Sequence, residues 1–209
     1  MVKKILTTVA FLLVTLLAIT FINAPSSSAK NIFKIQSHFS NKNLKTSDEK
    51  LALIDNYQKK YFEIVKRNDV LLNIEENDAV KKDNKELKKL YSQVKKQIKN
   101  KEFLNKYKDI EKRFSICEEE TTIGMNKFAA NNYTAVDNLL NEVYKEVQSK
   151  ISPEDFKKLA QSENEWLNEV EAYEKVFNSK GFGTIGTIVY YGYEIDMRSF
   201  RTLLLMLYL

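Results

Sequence analysis

The groups in this chain that stand close enough together to do chemistry are carboxylates. Glu118, Glu119 and Glu120 are consecutive, and Glu163, Glu165, Glu169, Glu171 and Glu174 crowd one later segment. Two carboxyls facing across a cleft can hydrolyse a glycoside, but a slim helical bundle rarely supplies such a cleft. Calcium needs alternating oxygen ligands around a turn glycine, and that pattern is missing. Both clusters therefore read as solvated acidic faces. The one histidine, His38, has no second histidine or cysteine at ligand spacing, so no histidine-based metal site is expected. Nothing brings His38 to the one cysteine, Cys117, as a nucleophile and base would require. Gly181, Gly183 and Gly186 lack a preceding strand and a following lysine, so they make no phosphate loop. The expectation is a protein without catalytic residues, metal or cofactor.

The elements that would carry these residues are helical. The chain has 209 residues with five glycines and two prolines, too few turn-formers for a many-stranded fold. Thr46 and Glu49 have capping-box spacing. Leu51, Ile54, Tyr57, Tyr61, Ile64, Val65, Leu71 and Leu72 follow at steps of three and four, which predicts one long helix. Asp83 and Glu86 open a second, with a stripe of Leu87, Leu90, Tyr91, Val94 and Ile98 that continues weakly through Leu104, Tyr107, Ile110 and Phe114. A third begins near Thr121 or Thr122, with Met125, Phe128, Ala129, Tyr133, Val136, Leu140, Tyr144 and Val147 on one side. Ser152, Pro153 and Asp155 start a fourth, whose apolar residues are Phe156, Leu159, Trp166, Val170 and Tyr173. Asn178 to Gly186 reads as a loop. Residues 187–209 read as a final helix, although Ile188 to Tyr191 would also suit a strand. The predicted fold is all-α, a small helical bundle with a long N-terminal helical extension.

The N-terminus addresses the chain. Lys3 and Lys4 precede an uncharged, mostly apolar run from Ile5 to Ile22, and Ser27 and Ala29 place small residues at a cleavage site, the pattern of a secretory signal. Cleavage after Ala29 is expected, although the run approaches the ~20 residues that span a bilayer. The mature protein is then periplasmic or secreted, and meets the membrane only through the signal segment before cleavage. Exported proteins of this size often carry disulfides. Cys117 is alone, reads as a half-buried structural thiol, and leaves packing to hold the fold. The segments expected are a signal peptide at 1–29, a polar arm at 30–45, a basic helical hairpin at 46–114 and a helical domain at 115–209. Residues 30–116 hold 22 basic and 13 acidic side chains, and residues 117–209 hold 9 and 15. Such asymmetry points to two surfaces with different partners. The lysines of the first half fall between apolar steps, as on any soluble helix, so no nucleic-acid binding is expected.

One stretch carries a family pattern. Tyr133, Asp137, Leu140, Asn141 and Tyr144 resemble the Y-x-x-A-D-x-x-L-N-x-x-Y run of the lysozyme-inhibitor LprI-like domain family. Thr121, Met125, Asn126 and Ala129 resemble its T-x-x-E-M-N-x-C-A, and Leu159, Ser162, Glu163, Trp166 and Leu167 its L-x-x-A-Q-x-x-W-I. Gly183, Thr184 and Arg201 fit its glycine loop and last helix. The resemblance covers roughly residues 115–205. The family's cysteines are replaced here by Phe128, Glu174 and Tyr193, its R-D pair by Val170-Glu171, and its glutamate before Met-Asn by Gly124. The resemblance implies an exported binding module with a protein partner, a lysozyme being the first candidate. Lysozymes are commonly cationic, and a module of net charge −6 would meet one favourably. Glu118, Glu119, Glu120, Glu163, Glu165 and Glu169 are then the partner-binding candidates. Tyr133, Asp137, Leu140, Asn141, Tyr144 and Trp166 read as structural. The alternative is an envelope protein whose basic half adheres to anionic surface polymer.

Overall fold

The computed structural model describes residues 46–69, 78–114, 117–178 and 186–209. The signal, the arm with His38, Leu71, Leu72 and residues 179–185 of the expected loop lie outside the described residues. Among the described residues six α-helices follow one another: α1 Ser47–Asp69, α2 Asp78–Gln97, α3 Lys101–Phe114, α4 Thr122–Lys150, α5 Pro153–Asn178 and α6 Gly186–Leu205. A short 3₁₀ turn, Met206–Tyr208, closes the chain. The class is all-α, as expected, and no strand occurs among the described residues.

The helix ends are set by local chemistry. Thr46 Oγ1 accepts from Glu49 N at 3.2 Å while the Glu49 carboxylate accepts from Thr46 N at 3.4 Å, the reciprocal box that starts α1. Thr121 caps α4 by accepting from Gly124 N at 3.0 Å. Ser152 accepts from Asp155 N at 3.1 Å ahead of Pro153, the first residue of α5. One expectation changes. The second stripe divides into α2 and α3, because Asn100 Oδ1 accepts from Glu102 N and Phe103 N and so starts a new helix. Asp83 and Glu86 do not open α2, which begins at Asp78. Both accept from Arg67 on α1 at 3.2 Å and so clamp the two helices.

The final segment is helical throughout and lies at the centre. A strand from Ile188 to Tyr191 would have had no strand to pair with among the described residues, and unpaired buried backbone is costly. Helix α6 packs along α4 and also touches α1 and α2, while α1 in turn packs against α2, α5 and the C-terminal turn. Met197, Phe200, Leu203, Leu204 and Leu205 are fully buried. They join Leu53, Ile54 and Tyr61 of α1, Leu90 and Val94 of α2, and Val136, Val143 and Val147 of α4 in one contiguous core. The N-terminal helices thus share the bundle's core. Tyr61 stacks on Phe200 with centroids 4.5 Å apart, and Tyr91 lies 4.9 Å from the same ring.

The charge asymmetry between the halves is partly used in joining them. Lys66 pairs with Glu169 at 2.7 Å, Lys158 with Asp48 at 2.8 Å, and Lys106 with Glu142. Each is a solvent-exposed pair, screened by water and weak in its effect on stability. They fix register more than they add stability.

Candidate functional site

Two arginines on α6 organise the interior polar groups. Arg201 is fully buried. Its guanidinium bonds Glu163 from Nε at 2.8 Å and from Nη2 at 2.6 Å, and also donates to Ser162 Oγ at 2.9 Å. Ser162 passes the chain on, donating to Asp55 of α1 at 2.7 Å. Trp166 lies against the same guanidinium, 5.8 Å from ring centroid to Cζ. Arg198 donates to Asp137 at 3.0 Å, pairs with the buried Glu194, and sits 4.8 Å over the Tyr133 ring. Asn141 donates to the Asp137 carboxylate at 3.1 Å and to its carbonyl at 2.9 Å. A buried charge is tolerated only when paired and hydrogen-bonded, and these networks meet that condition.

This geometry redistributes the sequence candidates. Glu163, read as a solvated acid, turns inward to Arg201 and its side chain is only 12% exposed. Glu169 is held by Lys66. Glu165 is exposed, with Gln161 Nε2 donating to it at 3.0 Å. Glu118, Glu119 and Glu120 are all exposed on the segment that enters α4. Beside them Ile123 is 82% exposed, far more than Leu167, at 47%, the other exposed large apolar side chain among the described residues. Leu140 and Trp166 are buried, whereas Tyr133 and Tyr144 are half-buried, against Tyr191 and Phe156 respectively. The buried face of α4 is instead completed by Asn132, Leu139 and Val143, which the sequence reading left out.

Gly124 explains one replacement. A Cβ built there would collide with Oε2 of Glu119. The carboxylate of Glu119 therefore occupies the space that a side chain at 124 would need, over the first turn of α4. A negative group there is favoured by the helix dipole. At two other replaced positions, contacts tie α5 to α6 without a covalent bond. Tyr193 stacks on Tyr173 with centroids 5.2 Å apart, and Tyr190 donates to Glu174 at 2.8 Å. Burial, with the bond to Glu174 as a smaller cause, pushes the Tyr190 phenol up to about 12. Phe128 is half-buried beside Cys117, itself half-buried, around a cavity of about 110 Å³.

The sequence reading missed Arg198 and Arg201 as organisers, and with them Asp55, Glu194 and Gln58, whose Oε1 accepts from Arg201 Nη1 at 3.5 Å. The signal was present: two arginines in a largely apolar terminal helix must find partners when that helix is buried. It also missed Asp196. This half-buried residue lies against Tyr61, Tyr91 and Tyr107, and burial pushes its carboxyl up to about 7.

The described molecule is thus an all-helical bundle whose internal ion networks brace α4, α5 and α6, and whose outward acidic segment stands at the start of α4. Among the described residues no group of His, Cys, Asp or Glu could hold a metal ion, and no helix is long and apolar enough to cross a membrane. Residues 117–205, which run from the acidic segment to the end of α6, match the family model described as Lysozyme inhibitor LprI. This agrees with the resemblance read from Tyr133, Asp137, Leu140, Asn141 and Tyr144. No curated protein and no solved structure matches the chain.

Proposed function

We propose that this chain is an exported, non-enzymatic protein-binding module of the lysozyme-inhibitor type, and that the segment entering α4 is its docking edge. The observation that carries this reading is the exposed Ile123 beside three exposed acids, inside the part of the chain that matches the inhibitor family. An apolar anchor beside acids suits a cationic partner: the acids speed encounter and the apolar group holds the contact. Glu165 is the accessible acid of α5; Glu163 and Glu169 are committed within the fold and drop to a supporting role. Residues 1–29 carry the export signal of the sequence reading, so the partner is met outside the cytoplasm. The polymer-adhesion alternative has less support, because Lys66, Lys95 and Lys106 of the basic half are engaged by Glu169, Glu111 and Glu142.

The test is surface-binding kinetics of the mature protein against several lysozymes at two salt concentrations. Solvent-exposed charges are screened beyond ~8 Å at physiological ionic strength, so association should slow as salt rises. Replacing Glu118, Glu119 and Glu120 together by lysine should slow association at least tenfold. Ile123→Ala should speed dissociation with little change in association. Absence of binding to every lysozyme tried would sink the inhibitor reading.

A further inference from the structure

Where α1, α2, α3 and α6 meet, the packing leaves a cavity of about 360 Å³, within the ~300–1,000 Å³ range of small-ligand sites. Most of its wall comes from helices that precede the family-matched segment. Tyr61, Tyr91 and Tyr107 line it with Phe114, and Asp196 and Ser199 reach it from α6. Tyr91 donates to the backbone carbonyl of Asp196 at 3.2 Å, which leaves the carboxylate itself out of that bond. Among the described residues the Asp196 carboxyl has neither an ion-pair partner nor a hydrogen-bond donor, and desolvation alone shifts its pKa. It nevertheless keeps some accessible surface. An enclosed acid without a partner that borders a cavity is the reverse of the treatment given to Glu163 and Glu194, which are paired with Arg201 and Arg198.

The cavity already attracts a cation at its rim. Lys95 Nζ lies 4.9 Å from the Tyr107 ring centroid and 6.0 Å from that of Tyr91, while Glu111 holds it at 2.7 Å. Tyrosine faces draw ammonium groups through their quadrupole, and an unpaired carboxylate behind them adds full charge. The other charged group lining the space is Lys88 on the rim from α2; Cys117 lines a second, smaller cavity that shares Phe114 and Asp196 with it.

We propose that this tyrosine-lined cavity is a binding site for a small organic ammonium ion, with Asp196 as its counter-ion and the rings of Tyr91 and Tyr107 as its walls. The ammonium takes the partner place that Asp196 lacks, and an apolar body of about the size of a benzene ring fills the space between Leu87, Ile110 and Phe114. The site is separate from the acidic edge at α4, so its occupation leaves that edge free.

Isothermal titration of the mature protein at pH 8, where the Asp196 carboxyl is ionised, tests this with benzylammonium, its neutral counterpart benzyl alcohol, and benzoate. Benzylammonium should bind saturably, at least tenfold more tightly than benzyl alcohol, and benzoate not at all. Asp196→Asn should remove the preference for the amine over the alcohol. Ser92→Trp, which covers the cavity mouth from an exposed position on its rim, should remove binding of both. Equal affinity for amine and alcohol in the wild type would overturn the proposal. So would an amine preference that survives Asp196→Asn, or binding unaffected by Ser92→Trp. Should Asp196→Asn fail to fold, the wild-type comparison and Ser92→Trp still decide. None of these outcomes bears on lysozyme binding, which is read with a different probe at a different face.

Discussion

At the scale of single residues, burial decides what each charge does. Arg201 and Glu163 are paired within the core, and removing one partner of such a pair leaves the other uncompensated. Arg201→Met should therefore destabilise the protein by about 3–5 kcal/mol. The double variant Arg201→Met with Glu163→Met should recover a large part of that loss, because no charge is then left in the interior. Denaturant midpoints of the three proteins check this; a double variant no better than the single would show that shape, not charge, sets the cost. Asp196 behaves differently. Its carboxyl is pushed up to about 7 from an unfolded value of ~3.9. The unfolded chain therefore ionises first as pH rises, and the folded chain holds the proton longer. The residue costs nothing below its unfolded pKa. It lowers stability progressively as pH rises to about 7 and by a constant amount above that. Asp196→Asn should match the wild type near pH 4 and exceed it by a few kcal/mol at pH 8, read from urea midpoints at the two pH values.

At the scale of elements, capping residues and one glycine set the pieces. Asn100 ends the reading of a single long second helix, and Thr121 fixes the start of α4. Gly124 sits in the first turn of α4 without a positive φ, so its cost is that of glycine in a helix, ~1 kcal/mol relative to alanine. Its Cβ space is taken by the Glu119 side chain, whose carboxylate can swing away while its Cβ, 3.1 Å off, must give by a few tenths of an ångström. Gly124→Ala should accordingly stabilise the fold by up to about 1 kcal/mol and release Glu119 to solvent. A thermal melt reads the first effect; a loss of stability instead would show that the Glu119 contact with the helix start is worth more than the glycine penalty.

At the scale of the whole molecule, the core is shared. Tyr61, Leu90 and Val94 from the first half and Met197, Phe200 and Leu203 from the second belong to one cluster, and three exposed ion pairs run between the halves. The family-matched segment thus has a face that its own helices do not cover. Residues 117–209 made alone should expose this face and lose cooperative unfolding, because aromatic and aliphatic groups buried by α1 and α2 each hold ~1.5–3 kcal/mol of burial free energy. Urea unfolding followed by circular dichroism tests it: a sharp transition for the fragment would establish an autonomous domain.

How much of this the sequence carries differs by feature. The all-α class, the caps at Thr46, Thr121 and Ser152, and the apolar stripe of α1 are local. They rest on spacing and on side chains bonding to backbone within three residues, so they are legible before folding. The family pattern around Tyr133 and Asp137 is legible for the same reason, being a run on one helix. What the sequence could not hold is which face of α4 turns inward. Val136 and Leu140 are found at the expected spacing, but Asn132, Leu139 and Val143 complete the face while Tyr133 and Tyr144 move to its edge. The rotation depends on how α6 lies against α4. Nor could it separate Glu163 from Glu165, two residues apart: one meets Arg201 across 38 positions of chain, the other faces water. Charge is a property of the residue, but its cost is set by the dielectric and the partners that distant helices bring to it. For that reason the tertiary structure alone decided which acids stay outside, which are paired within, and that Asp196 is left unpaired beside a cavity.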